Sequence, residues 1–194
     1  MPTSEIIKLN DVRLSFPRLW TPKRFREKQE PRFEATFILD PSDETHAEMI
    51  QELWDTAAVL VEEQWGEEPK SLVYCFGDAD ENEIEYDGYA GMFYIRTASP
   101  KNSPPVVTDR GRRRLEKNED GLEPRIPYAG SYVNTVVTLW SMDNEFGNRI
   151  NCNLRIVQFV RDGEAFGARE ASPEDELEEL PEEDYGDEDA GWDR

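Results

Sequence analysis

Five cations crowd ten residues of this chain: "TDRGRRRLEK", residues 108–117, holds Arg110, Arg112, Arg113, Arg114 and Lys117. Over the whole chain arginine outnumbers lysine 16 to 6. Guanidinium groups grip phosphate oxygens in pairs and stack on flat rings, as ammonium groups do not. Tyr94, Tyr132 and Trp140 fall where alternation turns a strand residue outward, and in "PRLWTPKR" Trp20 stands among Arg18, Lys23 and Arg24. Cations for phosphates and rings for unpaired bases are the two components that sequence-tolerant recognition of a single nucleic-acid strand requires. The candidate phosphate contacts are Arg18, Lys23, Arg96, Lys101, Arg110, Arg112, Arg113, Arg149 and Arg155. Trp20, Tyr94, Tyr132 and Trp140 are the candidate base platforms, while Trp54 and Trp65 are assigned to structure.

Other chemistry is poorly served. One histidine, His46, cannot build a multi-histidine metal site and is expected at the surface. Cys75 and Cys152 form no CxxC pair; they suit reduced, small apolar strand residues better than a disulfide framework. No phosphate-binding glycine loop and no GxSxG elbow occurs. "DADENEIEYDGY" opens like a calcium loop with Asp78, Asp80 and Asn82, but Glu83 stands where glycine is needed and Tyr89 where a bidentate glutamate belongs. It reads as an acidic solvated loop. The expectation is a binder without cofactor or metal rather than an enzyme, with a carboxylate-metal nuclease kept as an alternative.

The formal net charge of −21 argues at first against a nucleic-acid partner. Its distribution argues otherwise. Residues 40–90 carry 16 acids and one base, residues 170–194 carry 13 acids and one base, and the remainder carries 14 acids against 20 bases. Such a polarised chain can attract phosphates on one side and repel them on the other. A second alternative follows from the acidic share: a DNA mimic that blocks a host DNA-binding enzyme. Residues 170–194 are too charged and too poor in apolar side chains to fold and are expected to be a disordered tail. Tyr185 and Trp192 lie within that tail without a core to bury them, which suits a handle for protein partners. The opening residues lack a secretory apolar region, and no apolar run reaches membrane-spanning length, so no membrane association is expected.

The elements that must position these residues are mostly strands. "SEIIKLNDVRLSFPRLW" is strand-like and is expected to stop near Pro17; "RFEATFILD" alternates Phe33, Ala35, Phe37 and Leu39 on one face. A helix near 42–65, capped by Ser42, carries Met49, Ile50, Leu53, Trp54, Ala57, Ala58, Leu60 and Val61 at three- and four-residue spacing. "GMFYIRTAS" is a strand with Phe93 and Ile95 opposite Tyr94 and Arg96, and "PVVTD" is a short one before the cationic tip. "SYVNTVVTLWSMD" and "RINCNLRIVQFVRDG" flank an "NEFGN" hairpin turn, with Val133, Val137, Leu139, Cys152, Leu154 and Ile156 inward. The fold class is mainly β with one main inserted helix. A partly open antiparallel barrel of OB-fold type over residues 1–169 fits best, and a β-sandwich competes with it.

In order along the chain, "LNDVRLSFPRLWTPKRF", "RFEATFILD", "GMFYIRTASPKNSPPVVTDRGR" and "GSYVNTVVTLWSMDNEFGNRINCNLRIVQFVRDGEAFG" resemble a family of tailed-phage single-stranded DNA-binding proteins, over nearly all of residues 6–167. The resemblance implies an OB fold and non-sequence-specific binding of single-stranded DNA in phage replication or recombination, in the cytoplasm of the infected bacterial host. The plan is similar to that of podophage replication proteins whose acidic tails end in an aromatic residue and contact polymerase and helicase. Here Trp192 is followed by Asp193 and Arg194, so the ring is not terminal. Self-association, site size and the partner of the tail stay open at the level of sequence.

Overall fold

Period-two hydrophobicity is met by long strands that bend. The computed structural model describes residues 1–24, 30–145 and 147–167. In chain order the elements are β1 (Ile7–Lys23), β2 (Arg32–Leu39), α1 (Glu44–Trp65), β3 (Val73–Tyr74), β4 (Phe76–Asp78), β5 (Phe93–Pro100), β6 (Val106–Thr108), β7 (Tyr132–Asn144) and β8 (Gly147–Arg161). The expected tail, with Tyr185 and Trp192, lies outside the described residues.

Strand β1 does not stop at Pro17. Phe16 adopts φ 48°, and the pairing with β2 changes register between Ser15 and Arg18. A bulge tolerates a residue that lacks an N–H donor, so the proline bends the strand and leaves it unbroken. On β2 the expected alternation holds, and Phe33, Ala35, Phe37 and Leu39 are buried.

The helix cap moves by one residue. The Asp43 carboxylate accepts the His46 N–H at 2.9 Å, whereas Ser42 Oγ donates to Asp40. Met49, Leu53, Ala57, Leu60 and Val61 form the buried stripe of α1, which packs on β1, β2 and β7. Met49, Leu53, Leu60 and Val61, fully buried, each contribute roughly 1.5–3 kcal/mol, and the Ala57 methyl less. His46 is half-buried, not a surface residue: Nδ1 accepts the Asp40 N–H at 3.0 Å and Nε2 meets the Asp11 carbonyl at 3.1 Å. The ring thereby ties the start of the helix to β1.

Five strands close an uneven barrel in the order β1, β2, β5, β8, β7 and back to β1. Four of these junctions are antiparallel. The closing one, β5 to β8, is parallel and rests on a single pair, Ala98 with Asn153. The expected partly open antiparallel barrel is thus present, and this seam is where it is least closed. Short pieces extend it along β8: β3 pairs at Arg149 and Ile150, and β6 at Ile156 to Gln158. Between β3 and β4, Cys75 spans the gap, its N–H donating to the Ile150 carbonyl at 3.0 Å and its carbonyl accepting from Arg96 N–H at 2.8 Å.

Inside the barrel, Leu9, Leu14, Phe37, Leu39, Ile95, Val133, Val137, Leu139 and Ile150 are fully buried. Ile156, expected inward, is 38% exposed. Val137 faces Leu154 and Val136 faces Ile156, so Arg155 is an extra residue on β8. That bulge reverses the alternation and turns Val157 inward instead. Both cysteines are free, and burial pushes the Cys152 thiol pKa well up, with Cys75 beside it adding to the shift.

Candidate nucleic-acid interface

The outer faces of β2, β5 and β8 present one residue in two: Arg32, Glu34 and Thr36; Arg96, Ala98 and Pro100; Arg149, Asn151 and Asn153. Two adjoining clefts cover this surface. One, of about 750 Å³, runs between Glu30–Arg32, Ala98–Asn102, Trp140 and Asn153. The other, of about 610 Å³, is lined by Phe16, Arg18, Arg96, Arg149 and Tyr86 among others. They share Arg32, Ala98, Trp140 and Asn153 and form one groove across the seam.

The groove holds Arg18, Arg32, Arg96, Lys101 and Arg149 against Glu30 and Glu34. Arg32 pairs with Glu34, which leaves the balance cationic. Trp140, half-buried, stands where the two clefts meet. Phe16 and Tyr86 are 49% and 56% exposed and meet edge to face at 4.9 Å. Cations and open rings therefore occupy a shared surface, whose polar floor includes Asn151, Asn153 and Thr97.

Sequence reasoning placed Arg18, Arg96, Lys101, Trp140 and Arg149 among the candidates, and all five line this groove. It missed Arg32, Phe16 and Tyr86. Arg32 and Phe16 carry a legible signal, since each lies next to a proline, Phe16 at the bulge of β1 and Arg32 at the start of β2. Tyr86 lies in the acidic loop and carries none.

Tyr94 is a correction. It points away from the barrel interior as expected, but it is 4% exposed and packs with Ile38, Ala79 and Tyr89. The loop read as solvated folds over it: Asp78 Oδ1 caps the N–H groups of Asp80 and Glu81, and the Asp80 carboxylate accepts from Gly91 N–H. Tyr89, buried beneath, donates to Ser15 Oγ at 3.1 Å, and burial raises its pKa. Tyr94 cannot receive a base; Arg96 lies over its ring at 5.0 Å, and the phenol supports the guanidinium. Among the described residues no three His, Cys, Asp or Glu side chains are grouped to hold a metal ion, and no helix is long and apolar enough to cross a membrane.

Tyr132 is a second correction. It lies at the opposite end of β7 from Trp140, under the Arg161 guanidinium at 3.5 Å. Arg161 also holds both oxygens of Asp11, at 3.1 and 3.0 Å, and that hydrogen-bonded carboxylate raises its pKa. Trp20 is half-buried against the core and its Nε1–H donates to the Leu115 carbonyl at 3.4 Å. Lys23 is exposed on the last residue of β1 and lines neither cleft. Arg110, Arg112, Arg113 and Arg155 lie outside the groove. Arg113 is held by Asp109 at 2.7 Å, and the Arg113 backbone N–H is the largest influence lowering the Asp109 carboxyl pKa.

The strand order β1, β2, β5, β8, β7 with one inserted helix is that of an OB-like, partly open barrel, and its cationic groove over β2, β5 and β8 is edged by Phe16 of β1, Trp140 of β7 and Tyr86 of the loop before β5. The chain belongs to the family described as the ssDNA-binding protein of Enterobacter phage Enc34, whose model matches residues 5–189. It is 37% identical over 184 residues to protein p50 of Acyrthosiphon pisum secondary endosymbiont phage 1, covering 90% of this chain and 93% of that protein. The single-stranded DNA-binding protein from bacteriophage Enc34 in complex with ssDNA matches at 25% identity and TM-score 0.70, over 84% of this chain and 89% of that one. A C-terminal truncation of the same phage protein matches at 26% identity and TM-score 0.72, over 83% and 88%.

Proposed function

We propose that this protein binds single-stranded DNA without sequence preference, laying the strand across β2, β5 and β8, and that it does so as a non-enzymatic binder. The observation that carries the reading is the convergence of Arg18, Arg96, Lys101 and Arg149 with Trp140, Phe16 and Tyr86 on one groove. The cations neutralise phosphates and release counterions, so binding weakens as salt rises. The rings stack bases, each worth roughly 1–3 kcal/mol. Coating of single strands in this way serves phage replication or recombination in the cytoplasm of the infected host.

Residues 170–194, with 13 acids, act in this proposal as a tethered competitor for the same groove and as the handle for replication proteins such as polymerase and helicase. The root of that segment supports the idea. Phe166 donates its N–H to the Ala129 carbonyl, stacks under Arg13 at 4.0 Å, and presses on Gly88, where a Cβ would lie 2.2 Å from the ring. Gly88 belongs to the loop that supplies Tyr86 to the groove.

A gel shift of a poly-thymidine strand at two salt concentrations, with and without residues 170–194, tests both statements. Expected are binding that weakens with salt and tighter low-salt binding by the shortened chain. Unchanged affinity after deletion removes the competitor. No shift at any salt sinks the binding reading and favours the DNA-mimic inhibitor, and magnesium-dependent cleavage of the strand would instead establish a nuclease.

A further inference from the structure

The outer row of β8 does not end with the groove. Arg149, Asn151 and Asn153 line it; Arg155 comes next on the same row, about 7 Å further at the rise of a strand. The bulge at Arg155 then keeps Ile156 outside as well. On β7 this stretch is faced by Thr138, Val136 and Asn134, so no carboxylate interrupts it. Beyond it, β6 runs parallel to β8, and Gln158 Nε2 donates to the Arg110 carbonyl at 3.2 Å, fixing the β6 turn on the end of the row.

Within that turn the four arginines divide. Arg113 is neutralised by Asp109 at 2.7 Å and Arg114 by Glu116 at 3.0 Å. Arg110 and Arg112 are exposed, as is Arg155, and none of the three has an acidic partner among the described residues. The turn thus directs two guanidinium groups outward beside a neutral corridor that begins in the groove.

Resting on the single-strand reading, we propose that Arg155, Arg110 and Arg112 form a second, purely electrostatic arm of the DNA path, which takes the phosphates of a strand leaving the groove past Asn153. Described residues on this arm offer no exposed ring, so it holds the backbone and leaves the bases unstacked. Short strands that fill only the groove do not reach it; longer ones do.

Thymidine oligomers of about six and about twenty nucleotides separate the arm from the groove. Combined Arg110→Ala, Arg112→Ala and Arg155→Ala substitutions should leave affinity for the short strand within about twofold. They should weaken the long strand roughly 10- to 100-fold at low salt and lower its salt slope by about 2, since each lost phosphate contact removes about 0.7. The matching Arg→Lys triple variant should restore most of the slope, which a merely misfolded turn would not. Equal weakening of both strands, or of neither, overturns the arm while the groove survives. Failure of the unaltered protein to bind either strand overturns the single-strand reading itself, and the arm with it.

Discussion

Two places in this barrel set guanidinium groups against aromatic rings, and they use the pairing in opposite ways. At the end where β7 begins, Arg161 lies on Tyr132 and chelates Asp11, while Arg13 lies on Phe166 and donates to the carbonyls of Gly130 and Glu164. Those donors are spent inside the molecule. Even the backbone is committed there: Gly130, at φ 104°, lies so near Glu164 that a Cβ would come within 2.1 Å of its carbonyl oxygen. In the groove, Arg96 rests on Tyr94, but the guanidinium faces an open cleft beside Trp140, Phe16 and Tyr86. Residue types are the same at both ends. What separates recognition from architecture is where the donors point once the ring is covered.

Substitutions at the two ends should have unequal effects. The largest effect is expected from Arg96→Glu with Arg149→Glu, which should reduce affinity for a poly-thymidine strand at least about 100-fold at low salt and flatten the salt slope by about 1.4 or more. Fluorescence titration at several salt concentrations measures both. Next comes Trp140→Ala, with a loss of about 1–3 kcal/mol if the indole stacks one base, roughly 5- to 150-fold in affinity. An unaltered affinity would return Trp140 to packing. Smallest is Arg161→Ala. The Arg161–Asp11 pair is half exposed, so together with the ring contact it is worth only about 1 kcal/mol, or roughly 2–4 °C in melting temperature, with DNA affinity unchanged. If Arg161→Ala weakened DNA binding as much as the groove variants, the two ends would not differ in the way described.

The same contrast explains what could be read from the chain. Alternation along "RFEATFILD" and "SYVNTVVTLW" gave the inward rows because a half-buried strand has a fixed period of two. The β7–β8 hairpin was equally plain, and so was the α1 stripe at Met49, Leu53, Ala57, Leu60 and Val61, whereas Trp54 and Ala58, expected on it, are exposed. Alternation fails wherever the backbone slips: Phe16 at φ 48° carries β1 past Pro17, and the extra residue Arg155 exposes Ile156. It also cannot report what covers an outward side chain. Tyr94 points away from the barrel, as its position demands, and is then roofed by Ala79 and Tyr89 from a loop whose acids suggested solvent alone. Much of the groove was visible in Arg18, Arg96, Trp140 and Arg149 as separate strand residues and in Lys101 just past β5. Their meeting with Arg32 and Tyr86 depends on a parallel closure between segments more than fifty positions apart, which no local pattern encodes.

That closure has a mechanical meaning. Along β8, three short pairings in succession, with β3, β5 and β6, do what one continuous strand does elsewhere in the barrel. A nucleic-acid strand laid over it would touch Arg96 on one lip and Arg149 on the other, and would act as a stitch across the least-knitted wall of the molecule. Occupancy would then tighten the protein as well as protect the ligand, so that each coated segment is sturdier than the free subunit that came to it.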